Sequence, residues 1–349
     1  MTAALRVLAP GVLTTLQDLG RPGYQQLGIP VGGALDPLSL RAANVLVGNP
    51  ARCGALEVAY AGPTLMVEAP SARLAFAGAN AKIEVFSGTN ARRGRTVETM
   101  RSIRFLQGDC IRIGLLARGA VLYLAVEGGF AVEPVLGSVS TYLRGGLGGW
   151  RGRALIAGDR LPLRRESASE HTEVTLAGID LSVPRRLRAI AGPQVDYFSD
   201  EQVASFFAGE YTVSAGDRMG LQLRGRRLTH LRGFDIVSDG IAPGSIQISG
   251  SGDPIVLLAD RQTTGGYPKI ATVISADLPA LGRIPVGAKI AFEQISVEAA
   301  ETLRRKLFTE IEAIPSRLVP LRGEIAERAP QLWQSNLISG VVDARSVNV

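Results

Sequence analysis

From Asp260 to Lys269 the sequence runs Asp-Arg-Gln-Thr-Thr-Gly-Gly-Tyr-Pro-Lys, which gathers a carboxylate, a guanidinium, an amide, two hydroxyls, a phenol and an ammonium around two adjacent glycines. A turn needs only one or two special residues, so this density of donors and acceptors points to recognition of a small polar molecule. Lys269 can hold a carboxylate, or polarise a carbonyl as negative charge develops on its oxygen. Asp260 can act as acceptor or base, or pair with Arg261 or another neighbour. Thr263 and Thr264 add hydroxyl donors, and Gly265 and Gly266 in succession would let backbone N–H groups converge on an oxygen as a nest. Lys269, Asp260 and Thr264 are therefore the catalytic candidates, with Gln262, Thr263, Gly265, Gly266 and Tyr267 as substrate contacts.

Three further segments concentrate polar groups among glycines. Thr14 to Asp36 carries Gln17, Asp18, Arg21 and Asp36; the plainer reading is an Asp-anchored turn, a fixed Asp18–Arg21 pair and Asp36 as a helix cap. Ala125 to Gly152 places Ser138, Ser140 and Thr141 beside Gly137, and its Gly145-Gly146 and Gly148-Gly149 suit a loop lying close to another chain or a ligand. Neither GxGxxG nor GxxxxGK[ST] occurs, so a familiar phosphate loop is not expected. Gly216 to Gly252 supplies Arg218 and Gln247, which a hydrogen-bonded hairpin explains as well as a site does.

Composition narrows the chemistry. Cys53 and Cys110 are the only cysteines and His171 and His230 the only histidines, too few for a disulfide framework, a His-rich metal site or Ser-His-Asp machinery. No metal is expected. The net charge of +6 is spread over dispersed arginines, and aromatics are only 5%, which disfavours nucleic acid as a partner. No apolar run approaches the roughly 20 residues of a membrane span, and the first residues lack a secretion signal. A cytoplasmic protein with no membrane association is the expectation.

These groups must be held by something, and the punctuation of the sequence indicates strands. Forty-one glycines and nineteen prolines break up short runs of Val, Ile, Leu and Phe such as "ARLAFAGA", "AVLYLAVEGG" and "DPIVLLADR", a mainly β pattern without the helices of a parallel α/β fold. Two helices are predicted: one capped by Asp36 with Pro37 in its first turn, stopped at Gly48-Asn49-Pro50; the other opened by Ser296, with Val297, Ala300, Leu303, Leu307, Ile311 and Ile314 as its apolar face. A tail follows from 315 to 349. Internal likenesses suggest a duplication: Leu74–Phe86 with Leu187–Phe198, each read as strand, Ala-Gly turn and strand; Tyr123–Phe130 with Val256–Tyr267; Gly158–Leu163 with Gly287–Phe292.

The stretches "TTLQDLGRPGYQQLGIPVGGALD", "AANVLVGN", "LEVAYAGP", "VEGGF" with "VLGSVST", "DRMG" and "LLADRQTTGGYPKIATVISADLPALGR" resemble the biotin-dependent carboxyltransferase-like family, which takes in the second subunit of allophanate-hydrolase-type proteins, KipA, the C subunit of 5-oxoprolinase and the carboxyltransferase part of urea carboxylase. The resemblance covers roughly residues 5 to 295. It implies a mainly β fold of two cyclophilin-like β-barrel units with a few helices: residues 1–175 with an N-terminal extension, residues 176–295, then a C-terminal helix and tail at 296–349. It also implies a companion chain of the allophanate-hydrolase-subunit-1 (KipI-like) type, a further subunit and a jointly built site. A stand-alone chain of this size resembles the C subunit of an ATP-dependent 5-oxoprolinase, opening 5-oxo-L-proline to L-glutamate, with ATP bound largely outside this chain. Two other activities stay open under the resemblance. One is transfer of a carboxyl group from carboxybiotin to urea or a similar amide, with biotin on another chain because no Met-Lys-Met string occurs here. The other is KipA-like regulatory binding that antagonises a kinase inhibitor. The chain departs from the family at Leu35, often Met, and at Val139, often Arg, which removes a cation from the Gly137–Thr141 loop.

Overall fold

The structure, a computed structural model, describes residues 3–87 and 94–321. Arg92, Arg93 and the expected tail beyond 321 lie outside the described residues. The first body contains β1 (Ala4–Ala9), β2 (Leu13–Gln17), α1 (Pro37–Leu46), β3 (Ala55–Ala59), β4 (Thr64–Val67), β5 (Ser71–Phe86), β6 (Arg95–Val97), β7 (Ser102–Leu106), β8 (Cys110–Val126), β9 (Arg160–Pro162) and β10 (Val174–Leu176). The second contains β11 (Arg186–Ala191), α2 (Asp200–Ala208), β12 (Glu210–Gly216), β13 (Gly220–Arg224), β14 (Asp239–Gly240), β15 (Ser245–Ile248), β16 (Pro254–Leu257), β17 (Thr264–Gly265), β18 (Lys269–Val273), α3 (Leu278–Leu281) and β19 (Lys289–Gln294). The chain then enters α4 (Val297–Glu312) and β20 (Leu318–Pro320).

The first body is a nine-stranded sheet curled into a half-barrel, and the long strands β5 and β8 are its spine, antiparallel from Leu74 opposite Val126 to Phe86 opposite Cys110. Alternation along β5 serves two cores at once. Leu74 and Phe76 face the interior of the half-barrel with Leu56, Leu122 and Leu124, while Ala75 and Ala77 face outward, where their small side chains let α1 settle on the sheet through Leu40, Ala42, Ala43 and Leu46. The predicted Ala-Gly turn in this strand is instead a bulge: register shifts between Gly78 and Asn80, and Gly78 sits at φ +114° where a Cβ would meet the Val121 carbonyl oxygen at 2.7 Å.

The second body is a closed seven-stranded barrel, β11-β18-β15-β16-β13-β12-β19, with β19 returning to pair in parallel with β11. Val213, Leu223, Ile246, Val256 and Phe292 fill it, and Phe206 of α2 stacks on Phe292 at a centroid distance of 5.0 Å. Mainly β architecture in two barrel-type units with few helices is thus borne out. The pairing does not follow the inferred duplication, however: β5 pairs directly with β8, whereas β11 pairs with β18 and β19 and not with β16. Short Gly-apolar strings carry strand and turn preferences but not register, which the packed faces decide.

Both predicted helices form. Asp36 caps α1 by accepting from the Leu38 and Ser39 amides, and Ser296 caps α4 by accepting from the Ala299 amide. The apolar face expected of α4 is its shielded side: Ala300, Leu303, Leu307 and Ile311 are half-buried, whereas Val297 in the first turn and Phe308, off that face, are half exposed. What fixes α4 is its ends. One leaves the barrel strand β19; beyond the other, Ile314 enters the core under α1 and β20 pairs with β10 of the first body. No helix among the described residues is long and apolar enough to cross a membrane.

Candidate functional site

The sequence candidates fall into three clusters. In the first, Asp18 lies just past β2 and receives the Ser138 hydroxyl at 2.6 Å, the Val139 amide at 2.8 Å, the Gly20 amide at 2.8 Å and the Ser140 hydroxyl. Arg21 reaches the Ser140 and Val135 carbonyl oxygens, and Gln17 donates to Thr141 O at 3.1 Å while Thr141 Oγ1 donates to Leu16 O at 3.0 Å. The expected Asp18–Arg21 pair is replaced by a clamp between two loops. Gln17, Arg21, Ser138, Ser140 and Thr141 are all at most 1% exposed and tie the 135–141 loop to β2, with Gln17 Oε1 and Arg21 Nη1 finding no hydrogen-bond partner among the described residues. The nearby glycines have the same purpose: a Cβ on Gly148 would lie 2.3 Å from Ser140 O, and one on Gly149 would lie 1.8 Å from Thr141 Oγ1. The 145–149 loop is thus packed on its own chain at Gly148 and Gly149.

The second cluster crosses the seam between the bodies. Arg218 donates from Nε and Nη2 to both oxygens of Asp260 at 2.8 and 3.0 Å, from Nη2 to Gly33 O at 2.6 Å, and from Nη1 to Glu57. Glu57 also accepts from the Tyr123 hydroxyl and the Leu35 amide, Tyr123 accepts from the Asp36 amide at 2.9 Å, and Asp36 is paired with Arg283 at 3.1 Å. Burial alone would weaken the Arg218 guanidinium, but Glu57 and Asp260 outweigh it and raise its pKa. Burial pushes Asp260 above its ordinary value, opposed by Arg218. The Tyr123 phenol is held far above its usual range by burial and then by Glu57, which keeps it a donor. Arg21 lies on the margin of this network: a Cβ on Gly32 would be 3.4 Å from Asp260 Oδ1 and 3.7 Å from Arg21 Nη1. Asp36, wholly buried, is a helix cap and seam anchor, and Asp260 is an ion-pair partner of Arg218, not of Arg261.

The third cluster is the remainder of the 260–269 segment. Residues 225–244 lie across it as a strap. The Ile236 amide donates to Gly266 O at 2.8 Å, the Ile241 amide to Thr263 O at 3.0 Å, and β14 pairs with β17. Lys269 Nζ, 2% exposed in its side chain, is 3.0 Å from Oδ2 of Asp239, which is half exposed on the strap and also accepts from Gln194. The Lys269 hydrogen bond is the main reason that the Asp239 carboxyl titrates below its ordinary value. Gln247 and Gln262 meet at 3.5 Å, and Gln247 donates to Tyr267 O. The expected nest does not form: Gly265 and Gly266 are absent from the left-handed region, Gly265 lies in β17 with Gly266 just after it, and Gly265 is required by space, since a Cβ would sit 2.6 Å from Ile241 Cδ1. Thr264 and Tyr267 remain exposed, with Thr263 half buried.

Two hollows adjoin the first two clusters, and no residue of 260–269 lines either. A 310 Å³ cavity opens at the seam, with Glu57 and Arg218 on its floor and Leu13, Leu221, Ile284 and Leu115 among its walls. A 330 Å³ cleft beside the first cluster is lined by Asp18, Arg52, Cys53, Val139 and Arg164. Two arginines therefore line the cleft beside Val139, while burial pushes the Cys53 thiol up and keeps it protonated.

Glu57, Tyr123, Asp239, Arg283 and Arg52 were not singled out from sequence. Glu57 carried one usable signal: a carboxylate inside the apolar strand Ala-Leu-Glu-Val-Ala must be paired when that strand is buried. Asp239 carried none, because its partner is 30 residues away.

Comparison with known proteins follows the same outline. A family model of the carboxyltransferase domain, subdomains A and B, matches residues 27–294. The 5-oxoprolinase C subunit of Escherichia coli (strain K12) is 37% identical over 317 residues, 90% of this chain and 98% of that protein. Its counterpart of the same name in Haemophilus influenzae is 38% identical over 295 residues, 84% of this chain and 91% of that protein. The crystal structure of K. lactis urea amidolyase superposes with a TM-score of 0.79 at 26% identity over 92% of this chain, which spans 21% of that longer chain.

Proposed function

The chain belongs to the carboxyltransferase-domain family of subdomains A and B, and on that footing we propose that it serves as the C subunit of an ATP-dependent 5-oxoprolinase, converting 5-oxo-L-proline to L-glutamate together with companion subunits. The observation that carries this reading is the reach of the similarity: it takes in 98% and 91% of two proteins named as that subunit, against 21% of urea amidolyase. Within the chain, Lys269 is the group we assign to the lactam carbonyl. It is a cation on a barrel strand, held by a single carboxylate, with the Thr264 hydroxyl exposed close by in sequence. An ammonium aimed at a carbonyl oxygen stabilises the negative charge that develops there during attack by water. Asp260 contributes by position: it fixes Arg218 and so the seam. A Cβ on Gly148 or Gly149 would strike Ser140 or Thr141, so this part of the glycine-rich loop is packed on its own chain, and we assign ATP to a companion subunit.

The test is reconstitution. This chain mixed with its companion subunits, ATP and saturating 5-oxoproline is expected to release glutamate, and omission of this chain is expected to abolish release; no ATP-dependent glutamate from the complete mixture overturns the assignment. The TM-score of 0.79 to urea amidolyase favours one second reading, carboxyl transfer from carboxybiotin to urea or a similar amide. Incorporation of labelled bicarbonate into urea by a mixture containing a biotin-loaded carrier would establish it in place of the first.

A further inference from the structure

The 310 Å³ seam cavity is not accounted for by the chemistry above. Its walls are apolar, and its charged floor is already engaged: Glu57 binds Arg218, Tyr123 and the Leu35 amide, and Arg218 binds Glu57, Asp260 and Gly33 O. An anion such as 5-oxoproline would find no unpaired cation there. Around the mouth stand three large apolar residues turned to solvent: Tyr60 at 50% exposure, Leu115 at 78% and Val286 at 50%. Tyr60 and Leu115 belong to the first body and Val286 to the second. Val12, 66% exposed, extends the rim, since its amide donates to Ala61 O beside Tyr60.

The rim is held open by the backbone. Tyr60 sits at φ +66°, a left-handed conformation that a tyrosine adopts only when its surroundings require it, and its hydroxyl donates to Gly216 O of the second body at 3.1 Å. The ring therefore stands as a fixed post between the two bodies. Exposed apolar residues scattered singly are ordinary, but a cluster surrounding a preformed apolar hollow marks a place where another surface inserts a side chain.

We propose that this cavity is the socket for an apolar anchor, an aromatic or large aliphatic side chain, presented by a companion subunit. The inference rests on the subunit reading above. The occupant is a protein because the relatives are named as one subunit of a multi-subunit enzyme, and because in urea amidolyase the corresponding stretch is a fifth of a chain that houses other parts. The socket also has a path to the candidate site: its floor residue Arg218 holds Asp260, which begins the 260–269 segment.

Leu115→Glu and Val286→Glu place charge on the rim at exposed positions, so neither disturbs the core; Leu27→Glu, exposed to 68% elsewhere on the first body, is the control. Affinity for a purified companion chain of the allophanate-hydrolase-subunit-1 type, measured by titration calorimetry, is expected to fall at least about tenfold in each rim variant and to stay at the wild-type value in the control, with unchanged melting temperatures in all three. Wild-type affinity in both rim variants overturns the socket even where the mixture releases glutamate, which would leave the function standing. Loss of self-association of this chain alone in Leu115→Glu, by light scattering, overturns it in favour of a second copy as occupant. No complex with wild type overturns the socket and the subunit reading together.

Discussion

Lys269 is the group proposed above for the lactam carbonyl, and its surroundings shield it. Its ammonium is shielded on a barrel strand, and the one carboxylate that meets it stands on the strap, half in solvent. Substituting Lys269→Ala is expected to lower glutamate release by the assembled enzyme by about two to three orders of magnitude, the usual consequence of removing one group that stabilises a developing oxyanion, while association with companion subunits is retained by size-exclusion chromatography. Asp239→Asn removes the opposing charge but keeps the shape. Mass-spectrometric acetylation of Lys269 is then expected to run faster than in wild type; an unchanged rate would mean that the strap, not the carboxylate, does the shielding. At this scale the sequence was partly legible. The concentration of donors at 260–269 was plain, but which partner each group takes depended on Arg218 and Asp239, 42 and 30 residues away. Local reading cannot supply such partners. It likewise took Gly265 and Gly266 for a nest, when crowding by Ile241 explains the first of them.

Elements were more legible than their faces. Capping chemistry located the start of α1 and α4, because an Asp or Ser side chain accepting from the first-turn amides is a local interaction. The apolar face predicted for α4 is only half-buried at Ala300, Leu303, Leu307 and Ile311, because amphipathic spacing states what a helix is able to bury and not how much its neighbours cover. The bulge at Gly78 was invisible for a related reason: glycine permits a turn and a bulge equally, and the long partner β8 decides. The start of β9 offers a test with a pH signature. Asp159 accepts from both terminal nitrogens of Arg153 at 2.8 Å and from the Ile156 amide at 2.9 Å, and these bonds outweigh its burial to bring its pKa from 3.8 down to about 2. A depressed carboxyl stabilises the fold above its unfolded value, and that contribution disappears as pH falls through the folded one, so it is complete above about pH 4 and lost toward pH 2. Asp159→Asn is expected to cost about 2 kcal/mol by urea unfolding at pH 7, with the difference from wild type shrinking as the pH is lowered through that window.

Across the whole molecule the seam is ionic and buried, and breaking such a pair by removing one partner leaves the other charge uncompensated. Glu57→Gln is expected to destabilise by about 3–5 kcal/mol, and calorimetry is expected to show one transition in wild type and a separated, earlier one in the variant. Gly282→Ala probes the same seam sterically. Its backbone is ordinary, φ −64°, yet an added Cβ would lie 1.9 Å from the Leu35 carbonyl oxygen, so α3 would have to move off α1 and the melting temperature fall. Little of this was readable in advance, since the seam joins Asp36 to Arg283 over 247 positions.

The return of the chain to β10 after α4 has a mechanical meaning. The barrel departs from the first body beside β10 and is brought back to that same place by β20. A lobe moored by two lines at one quay cannot swing on a single hinge. Cutting the polypeptide within α4 would release one of these two lines and is expected to loosen the barrel against the first body.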